Sequence, residues 1–85
     1  MSTTSPSAVQ TIRLRNRTDQ QQELWLEPLG DFVPLAPNGL YEITATDALE
    51  EIDLSSDGFT VYGWVEQVCE VADDGSLATV WKISS

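Results

Sequence analysis

The stretch TIRLRNRTDQQQELWLE, residues 11–27, decides which fold class we expect. Its first run, residues 9–17, alternates apolar with polar side chains, so Ile12 and Leu14 would lie on one face of the chain. The arginines of that run would lie on the other face: Arg13, Arg15 and Arg17. Alternation with period two is typical of a β-strand with one buried face. We therefore predict a strand over 9–17 with its arginines in solvent.

A second run, residues 23–27, has the same alternation and suggests a hairpin with the first run. If the five-residue loop 18–22 joins the two strands, complementary side chains meet across the pair. The expected pairs are Arg17 with Glu23, Arg15 with Trp25, Arg13 with Glu27, and Leu14 with Leu26 on the core face. Pairs of this kind contribute roughly 0.2–1 kcal/mol each, so they would hold the hairpin in register. A site for an anion or a partner is the alternative role of the arginines.

Short alternating runs and turn residues continue along the chain. The segment 28–39 contains three prolines and two glycines, so it allows only a short edge strand at 32–35 and a turn at 37–39. We also predict strands at 40–46, 59–64, 65–72 and 77–83, the last two joined by a turn with Gly75 in the left-handed region. Together these runs predict an all-β fold, a small antiparallel β-sandwich of about seven short strands. The sandwich would occupy residues 9–85 as a single domain, after a disordered N-terminal tail, 1–8.

The segment 47–58 allows two interpretations. Asp47 followed by Glu50 resembles a capping box, which would start one helical turn, whereas Ile52 and Leu54 alternate as in a strand. We favour a strand that ends at the turn 56–58. Further along, Gly63 lies inside the predicted strand 59–64 and indicates a bulge or a closely approaching neighbour.

The charge of the chain restricts its partners. Fourteen acidic residues against four basic ones give a net charge of −10, and no Lys or Arg occurs between residues 18 and 81. Such a charge repels nucleic acid and anionic membranes, whereas a basic protein surface or a cation remains compatible with it; the alternative is that the charge only maintains solubility. The first residues, MSTTSPSA, do not resemble a secretory signal, and no stretch is apolar enough to span a bilayer, so we expect a cytoplasmic protein.

The residue types present give little support to catalysis. The chain has no histidine, which removes the commonest general base and most transition-metal sites. The acidic residues between 47 and 57 do not have the spacing of a calcium-binding EF-hand loop, and a hydrolytic carboxylate pair would need a cleft that excludes water. The single cysteine, Cys69, is expected to fill space on a strand. We therefore predict no enzymatic activity, no cofactor and no metal site.

Aromatic residues are the remaining candidates for a binding surface. Trp25 would lie on the outer face of the first hairpin, and Tyr62 and Trp64 would share one face of their strand. If Phe59 and Val61 are buried, Tyr62 and Trp64 form an exposed platform; if not, they belong to the core, where Trp81 is also expected. The candidate partner-binding residues are Trp25, Tyr62, Trp64, Glu50, Glu51, Asp53 and Asp57.

The leading functional hypothesis is a non-enzymatic, acidic interaction module that binds a basic protein partner through these aromatic and carboxylate side chains. One alternative is an inhibitor, such as an antitoxin-like protein or a nucleic-acid mimic. Another is a small sandwich that binds calcium or a carbohydrate. The oligomeric state stays open.

Four short motifs resemble the first half of the β domain of the von Hippel–Lindau protein family. They are Arg15-Asn16-Arg17-Thr18, Leu24-Trp25-Leu26, Gly30-Asp31 and Leu35-Ala36-Pro37-Asn38-Gly39. The family's β domain is a seven-stranded sandwich that binds a hydroxyproline-bearing peptide, and a helical domain joins it to a ubiquitin ligase. The peptide pocket of the family uses histidines, which this chain lacks, and we expect no helical adaptor-binding domain after the sandwich. The resemblance, over residues 11–40, therefore implies the sandwich and the first hairpin, and it implies no activity.

Overall fold

Alternating side chains produce eight β-strands in the computed structural model, which describes residues 9–46 and 49–83. The predicted tail, 1–8, and Asp47 of the possible capping box lie outside the described residues. The strands are β1 (Gln10–Arg15), β2 (Gln22–Glu27), β3 (Asp31–Leu35), β4 (Leu40–Ala45), β5 (Glu51–Ser55), β6 (Gly58–Tyr62), β7 (Val65–Val71) and β8 (Leu77–Lys82).

The strands form two four-stranded sheets that pack face to face, which confirms the predicted sandwich. Sheet A has the strand order β1-β4-β7-β8, and sheet B has the order β3-β2-β6-β5. All neighbouring strands are antiparallel except β2 and β6, which run parallel. The sandwich therefore contains one parallel pair that the sequence did not predict. None of the described segments is a helix long and apolar enough to cross a membrane.

The core lies between the inner faces of the two sheets. Each inner face takes alternate residues of its strands, as period two requires. The core consists of Leu24, Leu26, Val33, Leu35, Tyr41, Ile43, Val61, Val65 and Val68. Cys69 is buried on β7, as predicted. Trp81 is half-buried against the core, and its Nε1 donates a hydrogen bond to Asp31 Oδ2 at 3.1 Å, which links β8 of sheet A to β3 of sheet B.

The predicted hairpin between the first two strands is wrong. The strand β1 pairs with β4 in sheet A, so Arg13 faces Glu42 and Arg15 faces Leu40. Neither arginine faces Trp25 or Glu27, because β2 belongs to sheet B. The alternation itself is confirmed: Arg13 and Arg15 are exposed, and Ile12 and Leu14 pack towards the core.

The buried side chain of Asn16 stabilises the segment in which the chain changes sheets after β1. Its side chain is 1% exposed, and its Nδ2 donates hydrogen bonds to the carbonyl oxygens of Gln20, Leu35 and Ala36. Its Oδ1 accepts hydrogen bonds from the backbone N–H and the hydroxyl of Thr18. These bonds hold residues 16–20 against the end of β3, so β2 starts in the other sheet. Charge complementarity could not identify the strand that pairs with β1, because more than one strand offers a carboxylate to Arg13. We expected Glu27 of β2, whereas in the structure Arg13 Nε lies 3.3 Å from Glu42 Oε2 of β4.

The other predicted strands and turns are largely confirmed. The strand β3 is an edge strand of sheet B, with Pro34 exposed, and the chain crosses to sheet A through the turn at Asn38, whose φ is 60°. Residues 51–55 form a strand and not a helical turn. Gly75, with φ of 88°, connects β7 and β8.

The predicted strand 59–64 ends earlier than expected. The strand β6 stops at Tyr62, and the chain then moves from sheet B to sheet A through Gly63 and Trp64. Gly63 is buried at this corner, and its N–H donates to the carbonyl of Glu27 at 2.9 Å. Gly63 therefore marks a change of sheet and not a bulge within one strand, and the backbone of Glu27 is the close neighbour that was the other predicted reason for a glycine here.

Candidate functional site

The register of sheet B places several candidate residues together on its outer face. One row across the sheet runs from Phe32 through Trp25 and Thr60 to Asp53. The next row contains Glu27, Tyr62 and Glu51, and a third contains Pro34 and Glu23. We call Trp25, Phe32, Tyr62, Glu23, Glu27, Glu51 and Asp53 the acidic–aromatic face.

Trp25 and Phe32 form the aromatic centre of this face. Their ring centroids lie 4.9 Å apart and their planes are inclined by 32°, which is within the usual range of favourable aromatic pairs. Trp25 Nε1 also donates a hydrogen bond to Glu23 Oε1 at 3.1 Å. Even so, Trp25 is 38% exposed and Phe32 is 46% exposed. A large apolar surface is therefore held in a defined orientation and left in contact with water.

Tyr62, Glu51 and Asp53 form an acidic corner beside the aromatic centre. The pKa of the Tyr62 hydroxyl is raised, mainly because the hydroxyl is partly desolvated. The negative charges of Asp53, Glu51 and Glu27 raise it further. A hydrogen bond with Asp53 and the negative charge of Asp53 raise the pKa of Glu51. The negative charge of Asp53 contributes to both shifts. A cation placed there would be attracted, and its charge would relieve the repulsion.

The charges of the two sheets differ. The strands of sheet A contain three basic and three acidic residues, whereas the strands of sheet B contain five acidic residues and no basic one. This difference follows from the position of the arginines on β1, which belongs to sheet A. The acidic–aromatic face is thus the more negative side of the sandwich.

The structure brings four of the seven candidate residues onto the acidic–aromatic face, namely Trp25, Tyr62, Glu51 and Asp53. The other three lie at the ends of strands. Glu50 precedes β5, and Asp57 lies in the turn between β5 and β6, where its carbonyl accepts a hydrogen bond from the backbone N–H of Glu23. Trp64 is exposed, but it lies in the corner after β6 and does not continue the strand face of Tyr62.

Phe32, Glu23 and Glu27 complete the face, although they were not among the predicted site residues. The exposure of Phe32 could have been predicted from the sequence DFVPL, residues 31–35. If Val33 and Leu35 are buried, alternation along the strand places Phe32 and Pro34 on the outer face. Glu23 and Glu27 were predicted to be exposed, but they were assigned to the arginines of β1. That assignment failed when the predicted hairpin proved wrong.

Glu51 and Asp53 are exposed and Glu23 and Glu27 are only partly buried, so water is not excluded from these carboxylates as acid–base chemistry would require. Within residues 9–46 and 49–83, no group of three or more potential ligands is placed to hold a metal ion. In the turn between β7 and β8, Asp74 Oδ1 accepts hydrogen bonds from the N–H and the hydroxyl of Ser76. These bonds give the Asp74 carboxylate a role in shaping the turn.

Comparisons of the chain with protein-family models, with curated proteins and with solved structures find no match. The geometry and charge of the acidic–aromatic face are therefore the features from which a function is inferred.

Proposed function

We propose that the protein is a non-enzymatic, cytoplasmic interaction module that binds a basic protein partner through the acidic–aromatic face of sheet B. The observation that carries this proposal is the exposed pair of Trp25 and Phe32 at the centre of a face with four carboxylates and no basic residue on its strands. Protein interfaces usually have aromatic side chains at their centre and polar side chains around the rim.

The aromatic and acidic side chains would contribute to binding in different ways. Burial of Trp25 and Phe32 by a partner would supply most of the affinity, because aromatic anchors dominate interface energies. The exposed carboxylates would mainly accelerate encounter with a basic surface, and their effect would weaken as salt screens the charges. Affinity should therefore depend strongly on the aromatic pair, and the association rate should depend on ionic strength.

A capture experiment with matched variants tests this proposal. Immobilised wild-type protein is used to isolate partners from a cell extract at low salt, and each purified partner is then titrated against the wild type and two variants. The double variant Trp25→Ser, Phe32→Ser removes the aromatic pair of sheet B. The control, Val80→Ser, removes an exposed apolar side chain from β8 of sheet A.

The proposal predicts that the double variant binds at least about 30-fold more weakly, as expected for the loss of roughly 2 kcal/mol at an interface centre. Val80→Ser should bind as the wild type does. The association rate should fall several-fold between low and physiological salt. Partners that bind both variants equally and with no dependence on salt would contradict the proposal.

Inhibition is a second candidate role for the same face. The absence of basic residues from the strands of sheet B favours it, because a uniformly acidic surface can cover a basic catalytic or nucleic-acid-binding site. If the captured partner is an enzyme such as a nuclease, its activity should fall as the wild type is added and persist with the double variant. Full activity in the saturated complex would assign the face to scaffolding.

A further inference from the structure

The four edge strands of the sandwich are not equally protected against pairing with another chain. Edge strands are commonly protected by lysine or arginine, by proline or by bulges. The strand β1 carries Arg13 and Arg15, β3 contains Pro34, and β8 ends in Lys82 and has a register shift in its pairing with β7. The strand β5 has no basic residue, proline or bulge, and its charged side chains are Glu51 and Asp53. These carboxylates oppose pairing with another acidic strand, so β5 is the edge most open to a basic one.

The side chains of β5 separate into two sets with different chemistry. Glu51 and Asp53 pair with Tyr62 and Thr60, so they lie on the outer face of sheet B. Ile52 and Leu54 pair with Val61 and Phe59, so they point to the inner side. Both are nevertheless exposed, Leu54 by 74%, because β5 is at the open side of the sandwich.

A groove lies beside the end of β5, between the two sheets. Leu54 and Phe59 line it from sheet B, and Arg17 and Thr18 line it from the segment that follows β1. Near the beginning of β5 the two sheets are joined instead, because the N–H of Leu49 donates to Gln10 Oε1 at 3.1 Å. An extended chain laid along the free edge of β5 would therefore place its inward side chains beside Ile52 and Leu54, at the mouth of this groove.

Charge determines which side chains such a chain can carry on each side. Its outward side chains would lie next to Glu51 and Asp53, which favour basic residues. Its inward side chains would approach the groove, where the charge of Arg17 disfavours basic residues and Leu54 and Phe59 favour apolar ones. The two sides together match a segment in which basic and apolar residues alternate.

We propose that β5 accepts an added strand from its partner, and that this strand alternates basic residues, facing Glu51 and Asp53, with apolar residues, facing the groove. This inference rests on the proposed function, because it extends the acidic–aromatic face by one strand and names the segment of the basic partner that docks there. Backbone hydrogen bonds to β5 would supply affinity, and the alternation would supply specificity.

A second copy of the chain is a poorer occupant of this edge. If β5 paired with β5 of another copy, Glu51 and Asp53 of both copies would become cross-strand neighbours on one face. Like charges directly opposite each other destabilise a sheet, and the net charge of −10 opposes association more generally. The charges of β5 and of the whole chain thus favour a basic segment over self-pairing.

Titration of the isotope-labelled protein with designed peptides, followed by amide NMR, tests the inference. The probe is a capped seven-residue peptide in which lysine and valine alternate. One control peptide has the same composition with the lysines and valines in separate blocks, and another is the alternating peptide with N-methyl groups that remove its backbone donors on one edge. The alternating peptide should shift the amides of 51–55 and slow their hydrogen exchange. Both controls should bind at least about tenfold more weakly, as expected when strand hydrogen bonds are lost.

Two protein variants locate the binding strand. Asp53→Lys should weaken binding of the alternating peptide at least about tenfold, because it reverses a charge on β5 and protects the edge. Asp73→Lys, which makes the same charge change in the turn between β7 and β8, should leave binding nearly unchanged.

The outcomes separate this inference from the proposed function. Equal binding by the three peptides, with shifts centred on Trp25 and Phe32, would overturn strand addition while supporting the acidic–aromatic face. Protection of β5 amides without peptide, together with a dimeric mass, would assign the edge to a second copy and overturn the inference. Failure of the alternating peptide to bind would also overturn it, whatever the capture experiment shows.

Discussion

Asn16 is a buried polar side chain with five hydrogen bonds, and replacing it tests how much of the fold depends on one amide. We expect Asn16→Ala to destabilise the protein by roughly 3 kcal/mol, because it leaves buried carbonyl groups without donors. The free energy of unfolding in urea measures this loss.

Asn16→Asp is the informative companion variant. It keeps the size of the side chain but replaces the amide donor with a carboxylate, which faces the carbonyl oxygens of Gln20, Leu35 and Ala36. At neutral pH it should be no more stable than Asn16→Ala. Wild-type stability for Asn16→Asp would show that the amide donor is not what holds the crossover.

Glu51 offers a test of the acidic corner by pH. Its pKa is raised above the ordinary value of 4.5 by Asp53, so the folded state binds this proton more tightly than the unfolded state does. The resulting stability is present below pH 4.5 and is lost as the pH rises through the raised pKa. Glu51→Gln should therefore raise the melting temperature at pH 7, and its advantage should shrink towards pH 4.

Asp74 is the control of opposite sign. Hydrogen bonds from the hydroxyl and the N–H of Ser76 lower its pKa below the ordinary value of 3.8. The stability that the ionised Asp74 carboxylate contributes to the folded state is present above pH 3.8. This stability is lost as the pH falls through the lowered pKa. Asp74→Asn should therefore lower the melting temperature at pH 7. If both variants changed it in the same direction, the assigned causes would be wrong.

At the scale of elements, the parallel pair of β2 and β6 depends on Gly58. Its φ is 150°, and a Cβ atom there would clash with the backbone of Glu23, lying 2.6 Å from the nitrogen and closer still to the oxygen. Gly58→Ala should therefore cost roughly 3 kcal/mol or more, because backbone atoms cannot move aside without breaking the pair.

Gly30→Ala provides the comparison for Gly58→Ala. Gly30 has a φ of 77°, but no atom lies within 4 Å of the added Cβ, so only backbone strain of about 1 kcal/mol is expected. Thermal unfolding of both variants measures the difference. Equal losses would indicate that the approach of Glu23 to Gly58 is not tight.

The elements also show what the sequence could predict and what it could not. Strands were predictable because alternation is a local property: Leu24 and Leu26 had to face opposite to Trp25 wherever β2 paired. The pairing of the strands was not predictable, because Glu27 on β2 and Glu42 on β4 could each form an ion pair with Arg13. The deciding residue, Asn16, acts through carbonyl groups of Leu35 and Ala36, distant along the chain. Consequently the sequence identified some residues of the acidic–aromatic face, such as Trp25 and Tyr62. It did not show that β2, β3, β5 and β6 bring these residues together on one face of a sheet.

For the whole molecule, the separation of charge between the sheets should appear in stability. The strands of sheet B carry five acidic residues without a basic one, so their repulsion acts against folding and is screened by salt. We expect the melting temperature to rise as sodium chloride increases from low to physiological concentration.

The source of this salt effect can be assigned with two neutralising substitutions. Glu27→Gln removes a charge from the acidic–aromatic face and should stabilise the protein by roughly 0.5 kcal/mol at low salt, with a smaller gain at high salt. Glu42→Gln removes a carboxylate that is paired with Arg13 on sheet A, so it should give no gain or a small loss. Equal gains from both substitutions would mean that the repulsion is spread over the entire molecule, and the case for sheet B as the side that attracts a basic partner would then fail.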